Sequence, residues 1–222
     1  MTTANEPIDL DDLSRTTYSA VFSDVCDAAG FREQTLEPGL RLQAGRSGVL
    51  VGWARTAVSR PVTQIPERPY GGEIDFIDSL NPGDVAIVDC SGRPAAAWGE
   101  LFSTASVGRG ARGAVIDGYV RDIDKIDALG RFPVYGRGSR PTDSLGRVSI
   151  QERDIPVCVY GHTIHPGDLV ICDRDGVTCV PRAFALEIAE KAREKATTEN
   201  AARELLLQGG YLRDVWEKYR VL

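Results

Sequence analysis

The sequence predicts an α/β domain with more than one sheet layer. Three observations carry that reading. Short apolar, β-branched runs alternate with helix-period segments through the middle of the chain. Hairpin-like strands follow them, and the turn Pro-Gly-Asp occurs twice, at 82–84 and 166–168, each time just before an apolar run.

Residues 10–29 place Leu13, Ala20, Val21, Val25 and Ala28 at helical spacing, with Gly30 as the stop. Residues 48–58 are apolar and β-branched, hence a strand. Residues 74–79 read as a helical turn before the turn signal Asn81-Pro82-Gly83-Asp84, and 85–89 as a short buried strand. Residues 99–110 form a helix with Glu100 in its first turn. A buried strand over 114–118 ends at a turn at Gly118, and a short helix over 122–128 stops at Gly130. Further strands are expected over 133–135, 157–160 and 169–172, with 173–176 a tight turn into 177–180. Pro181 precedes a long helix from Ala183 to about Leu207, with Glu187/Lys191 and Glu199/Arg203 as i,i+4 pairs. No low-complexity linker or solenoid repeat interrupts the chain. Residues 1–222 are therefore read as one domain, with 183–222 a helical C-terminal extension.

Composition narrows the function classes. With 42% hydrophobic residues over 222 positions, the chain can bury a sizeable core. A formal net charge of −6 argues against a general nucleic-acid binder, because phosphate binding needs a basic surface. No apolar run approaches the roughly 20 residues that span a bilayer, and residues 1–12 lack the basic and apolar regions of a secretory signal. The expectation is a cytoplasmic protein with no nucleic-acid or membrane partner. The five cysteines are odd in number and contain no C-x-x-C; Cys158, Cys172 and Cys179 lie in apolar stretches. They read as small buried thiols.

Two motifs imitate chemistry. Gly108 to Gly113 satisfies G-x-G-x-x-G, but a helical pattern precedes it and a strand follows, the reverse of what a dinucleotide site needs. It reads as a glycine-rich helix-to-strand turn. His162 and His165, the only histidines, sit beside a turn with no third ligand of similar quality nearby, and read as solvent-facing loop residues. General acid/base work then falls to carboxylates, arginine or metal-bound water.

The informative segment is 98–126, WGELFSTASVGRGARGAVIDGYVRDIDKI. Gly99-Glu100-Leu101-Phe102 opens a helix, a strand follows, and Asp117-Gly118-Tyr119-Val120-Arg121-Asp122 closes the segment. On residue types alone, Arg121-Asp122 also reads as a surface pair with Asp122 as an N-cap, Glu100 as a dipole partner, and Glu199 as a partner for Arg203. Neighbouring strand residues point to opposite faces, so Arg121 and Asp122 share a site only if the strand has ended before them.

This segment resembles the family of the 4-hydroxy-4-methyl-2-oxoglutarate aldolases and the RraA-like regulators of ribonuclease E. The G-[DE]-L-hydrophobic stretch, the step of 22 positions from Gly99 to Arg121, and the D-G-x-x-R-D box carry the match. Gly52-Trp53-Ala54-Arg55-Thr56, the two Pro-Gly-Asp turns, Asp175-Gly176-Val177 and Val180-Pro181 extend it over roughly residues 21–207.

The resemblance implies a three-layer β/β/α swivelling-type fold assembled as a homotrimer or homohexamer. It implies a carbon–carbon lyase, a class II-type aldolase and oxo-acid decarboxylase acting on small 2-oxo acids through a pyruvate enolate, with oxaloacetate decarboxylase activity. Asp122 would be the direct protein ligand to Mg2+ or Mn2+, Arg121 would hold the pyruvyl group, and Glu100 would hold metal waters. Backbone at Gly99, Glu100, Leu101 and Phe102 would form the substrate carboxylate site, and Glu199 would reach the waters from the neighbouring protomer. The alternative in the same family is a non-catalytic regulator that binds a ribonuclease or helicase. The chemistry is sound on its own terms. A helix start offers unpaired N–H groups to a carboxylate, and magnesium commonly takes only one or two carboxylates and keeps its waters.

Overall fold

The computed structural model describes residues 8–46 and 48–221. Residues 1–7, part of the stretch read above as lacking a secretory signal, lie outside them. In chain order the elements are α1 (Leu10–Thr16), α2 (Ser19–Ala28), β1 (Arg41–Ala44), β2 (Leu50–Pro61), α3 (Gly71–Asp78), β3 (Asp84–Asp89) and β4 (Ala96–Trp98). They continue with α4 (Glu100–Gly108), β5 (Gly113–Val120), α5 (Ile123–Leu129), β6 (Val134–Ser139), β7 (Val148–Arg153), β8 (Val157–Val159) and β9 (His162–Ile164). The last four are β10 (Leu169–Cys172), β11 (Val177–Val180), α6 (Ala185–Leu207) and α7 (Leu212–Tyr219).

The layering follows from the period-2 rule applied to unbroken apolar runs. In β3, Ala86 and Val88 face one core with Phe76, Ile77 and Ile126 of the helices. Val85 and Ile87 face another with Val157, Val159 and Ile164 of the small β8–β9 sheet. Ala114 and Ile116 of β5 divide from Val115 in the same way. A strand buried on both faces has no polar side to alternate with, which is why these segments read as continuous hydrophobic runs. The result is helix, main sheet and second sheet, the β/β/α arrangement expected.

The main sheet runs β1-β6-β5-β3-β2-β10-β11, with β4 paired to β5 and β7 to β2. Its centre, β2-β3-β5-β6, is parallel, and β10–β11 closes one edge as an antiparallel hairpin. A third core packs α1, α2 and α6 on that edge through Phe22, Val51, Ile171 and Ile188.

Four expectations need correction. The helix expected over 10–29 is two helices, because Thr17 and Tyr18 are extended. Thr17 returns its hydroxyl to the Leu13 carbonyl at 2.7 Å, and α2 starts afresh where Asp173, from the distant β10–β11 turn, accepts from Ser19 N–H and Oγ, both at 2.7 Å. That carboxylate does the work of a local N-cap. Strand β5 does not end at Gly118 but runs to Val120; Gly118 is small because a Cβ there would stand 3.0 Å from Cβ of Cys90. His162 lies in β9 and is half-buried, which lowers its pKa, whereas His165 is exposed. Cys158 is exposed, while Cys26, Cys90, Cys172 and Cys179 are buried free thiols as expected. Sequence patterning gave no sign of β1, β4, β7 or β9, strands of only 3 to 6 residues.

Candidate active site

The site is built where two parallel strands end together. β4 pairs with β5 through Ala96↔Tyr119 and Trp98↔Val120, and the Arg121 N–H donates to the Trp98 carbonyl at 2.9 Å. Gly99 then starts α4 immediately after β4, and Arg121 and Asp122 follow immediately after β5. The carboxyl ends of parallel strands are where α/β sheets leave room for ligands.

Asp122 meets the geometric condition set above. Its backbone is left-handed, φ 61 and ψ 36, so the strand has ended and the chain turns. Aspartate is one of the few residues that tolerate this conformation. Asp122 occupies the N-cap position of α5 without capping it; its Oδ2 instead accepts from the Glu100 N–H at 3.3 Å, at the first turn of α4. Arg121 Nε lies 3.6 Å from the same oxygen. Gly99 permits this approach, since a Cβ there would stand 2.8 Å from Asp122 Oδ2 and 3.2 Å from Arg121 Cγ.

The start of α4 is held rigidly. Trp98 Nε1 donates to Ser103 Oγ at 2.9 Å, and that hydroxyl donates to the Gly99 carbonyl at 3.1 Å. Ser103 N–H also closes on Gly99. The N–H groups of Leu101 and Phe102 have no acceptor among the described residues. Glu100 is turned along its own helix, accepting from Thr104 Oγ1 at 2.7 Å.

Together these residues line a cleft of about 280 Å³ with Tyr70, Ile74, Asp143 and Ser144. Tyr70 and Asp143 carried no signal in the sequence reading. Tyr70 precedes α3 with φ 57, a true outlier for a bulky side chain, and its hydroxyl donates to Asp143 Oδ2 at 2.6 Å. Asp143 Oδ1 faces Arg121 Nη1 at 3.3 Å. Burial alone would raise the Asp143 pKa. The Tyr70 hydroxyl, the Arg121 charge and the N–H groups of Leu145 and Ser144 outweigh it and hold the carboxyl below its ordinary value. The bond to Asp143 in turn raises Tyr70.

Glu199 is not brought to this cleft. It lies on α6 in a separate groove with Tyr18, Asp24 and Val215. Burial raises its pKa. It pairs with Lys195 at 3.3 Å, correcting the expected pair with Arg203, which donates to Asn200 instead. The Glu187–Lys191 pair forms as expected.

Among the described residues, no group of three or more His, Cys, Asp or Glu is arranged to hold a metal. A magnesium ion can be bound through one or two carboxylates and keep several of its waters, without such a group. Among the described residues, no helix is long and apolar enough to cross a membrane.

A family model described as RraA-like, Aldolase/RraA, matches residues 22–179. The uncharacterised protein MJ0644 of Methanocaldococcus jannaschii is 37% identical over 54% of this chain, which spans 57% of that protein. A Halalkalibacterium halodurans protein with the provisional name 4-hydroxy-4-methyl-2-oxoglutarate aldolase is 29% identical, over 84% of this chain and 83% of its own. The crystal structure of Streptomyces coelicolor RraAS2, described as an unusual member of the RNase ES inhibitor RraA family, superposes with a TM-score of 0.75 at 26% identity. It covers 90% of this chain and 99% of its own.

Proposed function

The chain belongs to the RraA-like family, and on that premise we propose that it is a divalent-metal-dependent lyase of small 2-oxo acids, cleaving the bond next to a pyruvyl unit as an aldolase or decarboxylase. The observation that carries the reading is the junction of Arg121 and left-handed Asp122 with the open start of α4. In this reading the Leu101 and Phe102 N–H groups hold the substrate carboxylate, helped by the positive end of the helix. Arg121, steered by Asp143, faces the oxygen on which negative charge develops. Asp122 would hold Mg2+ or Mn2+, and Glu100 would reach the ion's waters by giving up its bond to Thr104. When bound, such an ion supplies charge that stabilises an enolate oxygen and acidifies its waters. Assembly as a homotrimer or homohexamer would bring Glu199 of one chain to the cleft of the next.

The second reading, a regulator that binds a ribonuclease, draws on the likeness to RraAS2. One assay separates the two. The full chain is stripped with EDTA, restored with magnesium or manganese, and offered oxaloacetate and 4-hydroxy-2-oxo acids while pyruvate release is followed. Turnover that disappears with EDTA and returns with metal supports the lyase. Metal-independent turnover, or none with any pyruvyl substrate, removes it.

A further inference from the structure

The amino ends of the parallel strands border a second cavity, of about 620 Å³. Leu50 starts β2 there, Arg112 immediately precedes β5 and Pro133 immediately precedes β6. The cleft built on Arg121 and Asp122 lies past the other end of β5. That strand has 8 residues, so at about 3.3 Å per residue the two places are roughly 26 Å apart. The glycine-rich turn from Gly108 to Gly113, whose order of elements is wrong for a dinucleotide, forms one wall through Gly110, Ala111 and Arg112. Gly113 draws the other walls close, since a Cβ there would stand 2.7 Å from Leu50 Cδ2 and 2.8 Å from the Pro133 carbonyl oxygen.

The charges of this cavity are unbalanced. Arg46, Arg112 and Arg131 line it, with Asp11 as the one carboxylate. That carboxylate is already engaged, because Arg112 Nη1 donates to Asp11 Oδ1 at 2.7 Å. Arg112 Nη2 donates to Ser14 Oγ at 3.1 Å and to the Leu10 carbonyl at 3.3 Å, which fixes the guanidinium against α1. The Nε of the same group is buried and has no acceptor among the described residues. A buried N–H left without an acceptor is costly. Arg46 and Arg131 are exposed and lie in the turns before β2 and β6. Three arginines less one aspartate leave a surplus of two positive charges in the lining, in a chain whose formal net charge is −6. A concave surface lined by one sign of charge concentrates ions of the other.

We infer that this cavity binds a small organic anion with two or more negative charges, a polycarboxylate or a phosphate ester. Guanidinium groups match the paired oxygens of both. The volume falls in the range of small-molecule sites, about 300–1,000 Å³, and Val49, Leu50, Ala111 and Pro133 give a carbon skeleton apolar surface to lie against. The inference stands apart from the lyase reading, because the cavity and the cleft share no lining residue.

Isothermal titration tests it on the full chain, stripped of metal with EDTA and dialysed. The probes are citrate and ribose 5-phosphate, with acetate and inorganic phosphate beside them. At low ionic strength citrate or ribose 5-phosphate is expected to bind with a dissociation constant of about 1 mM or below, and more weakly as salt is raised. The tighter of the two tells carboxylate from phosphate chemistry. The double variant Arg46→Ala/Arg131→Ala, on exposed turn positions, is expected to weaken that binding at least about tenfold, the scale of one charge-assisted hydrogen bond, with melting temperature and oligomer size unchanged. Arg121→Ala should bind as the native chain does. Binding of neither probe overturns the inference, as does equally tight binding of acetate or inorganic phosphate. Loss of binding in Arg121→Ala places the anion in the cleft and overturns it too. An oligomer that falls apart in the double variant shows that these arginines face carboxylates of a second copy of the chain, and the site is then an interface and not a ligand cavity.

Discussion

Asp143 Oδ1 lies 3.3 Å from Nη1 of Arg121, while the other oxygen of the same carboxylate accepts from Tyr70 at 2.6 Å. Asp143 thus fixes the one guanidinium of the cleft from outside the motif that contains it. A charge-assisted bond is worth about 1.5–3 kcal/mol, and this pair is about one-third exposed, so the low end applies. Asp143→Asn keeps an acceptor for Tyr70 but removes the charge facing Arg121. We expect kcat to fall about tenfold with KM changed much less, because a misaimed guanidinium harms charge development more than binding. Tyr70→Phe should cost less. A normal kcat in Asp143→Asn would mean that Arg121 needs no such anchor.

Gly99→Ala separates site from fold. The Gly99 backbone is extended, φ −153, so alanine is conformationally acceptable there. Its Cβ would stand 2.8 Å from Asp122 Oδ2, the end of a short side chain that can swing aside. The expected result is an unchanged melting temperature with metal affinity and turnover both sharply reduced. Isothermal titration with manganese reads the first and pyruvate release the second. Native manganese affinity in this variant would remove Asp122 from the metal site.

How much of this was legible depended on whether a segment carries its own instructions. The helix start at Gly99 and the buried central strands did so, through glycine placement and unbroken apolar runs; the turn at Arg121-Asp122 did so only through the short helix that follows it, since Gly118, expected to end the strand, lies within β5. Asp143 and Tyr70 did not. They sit in loops, Asp143 22 positions after Arg121 and Tyr70 51 positions before it, and only the fold of β6, β7 and α3 around the strand ends brings them in. The first residue of the D-G-x-x-R-D box belongs to the motif without belonging to the cleft. Asp117 is buried, 2.6 Å from Arg137 Nε on β6, and never reaches the cleft. Burial raises its pKa. Its place in the motif is that of a cross-strand tie holding β5 to β6, just where their register shifts between Ile116 and Tyr119.

Glu73 gives a pH-dependent prediction. It lies on α3, buried, accepting from Ile150 N–H at 3.1 Å and Ser149 Oγ at 3.3 Å. Burial raises its pKa above the usual glutamate value, more than those bonds lower it. The folded protein therefore holds the proton more tightly than the unfolded chain. Its contribution favours folding below the ordinary glutamate pKa of about 4.3 and is lost as pH rises through the elevated folded value. Glu73→Gln keeps the shape and an acceptor for Ile150. We expect its melting temperature to exceed the native value by a few degrees at pH 7, roughly the effect of 1 kcal/mol in a chain of this size, and the gain to vanish near pH 4. A loss of stability at pH 7 would show that the charged form is what the site needs.

Glu199 tests whether the cleft is completed by a neighbour. Its side chain is 17% exposed, held on α6 beside Lys195, and lines a groove of about 580 Å³ distinct from the cleft of its own chain. Beyond it, Leu207, Tyr211, Leu212 and Trp216 leave apolar surface open at the end of α6 and along α7, the kind of patch that a second copy would cover. Asp122→Ala and Glu199→Ala are each expected to be severely impaired as pure oligomers. Co-expressed, they form hybrids in which the first variant still offers Glu199 and the second still offers Asp122. If the glutamate reaches across an interface, some hybrid clefts contain both residues and part of the activity returns, with a metal requirement like that of the native protein. If it acts within its own chain, no hybrid cleft is complete and mixing restores nothing. Full activity of Glu199→Ala alone would give a third result: the residue is then no more than the partner of Lys195, and Asp122, Arg121 and the start of α4 must suffice for the chemistry.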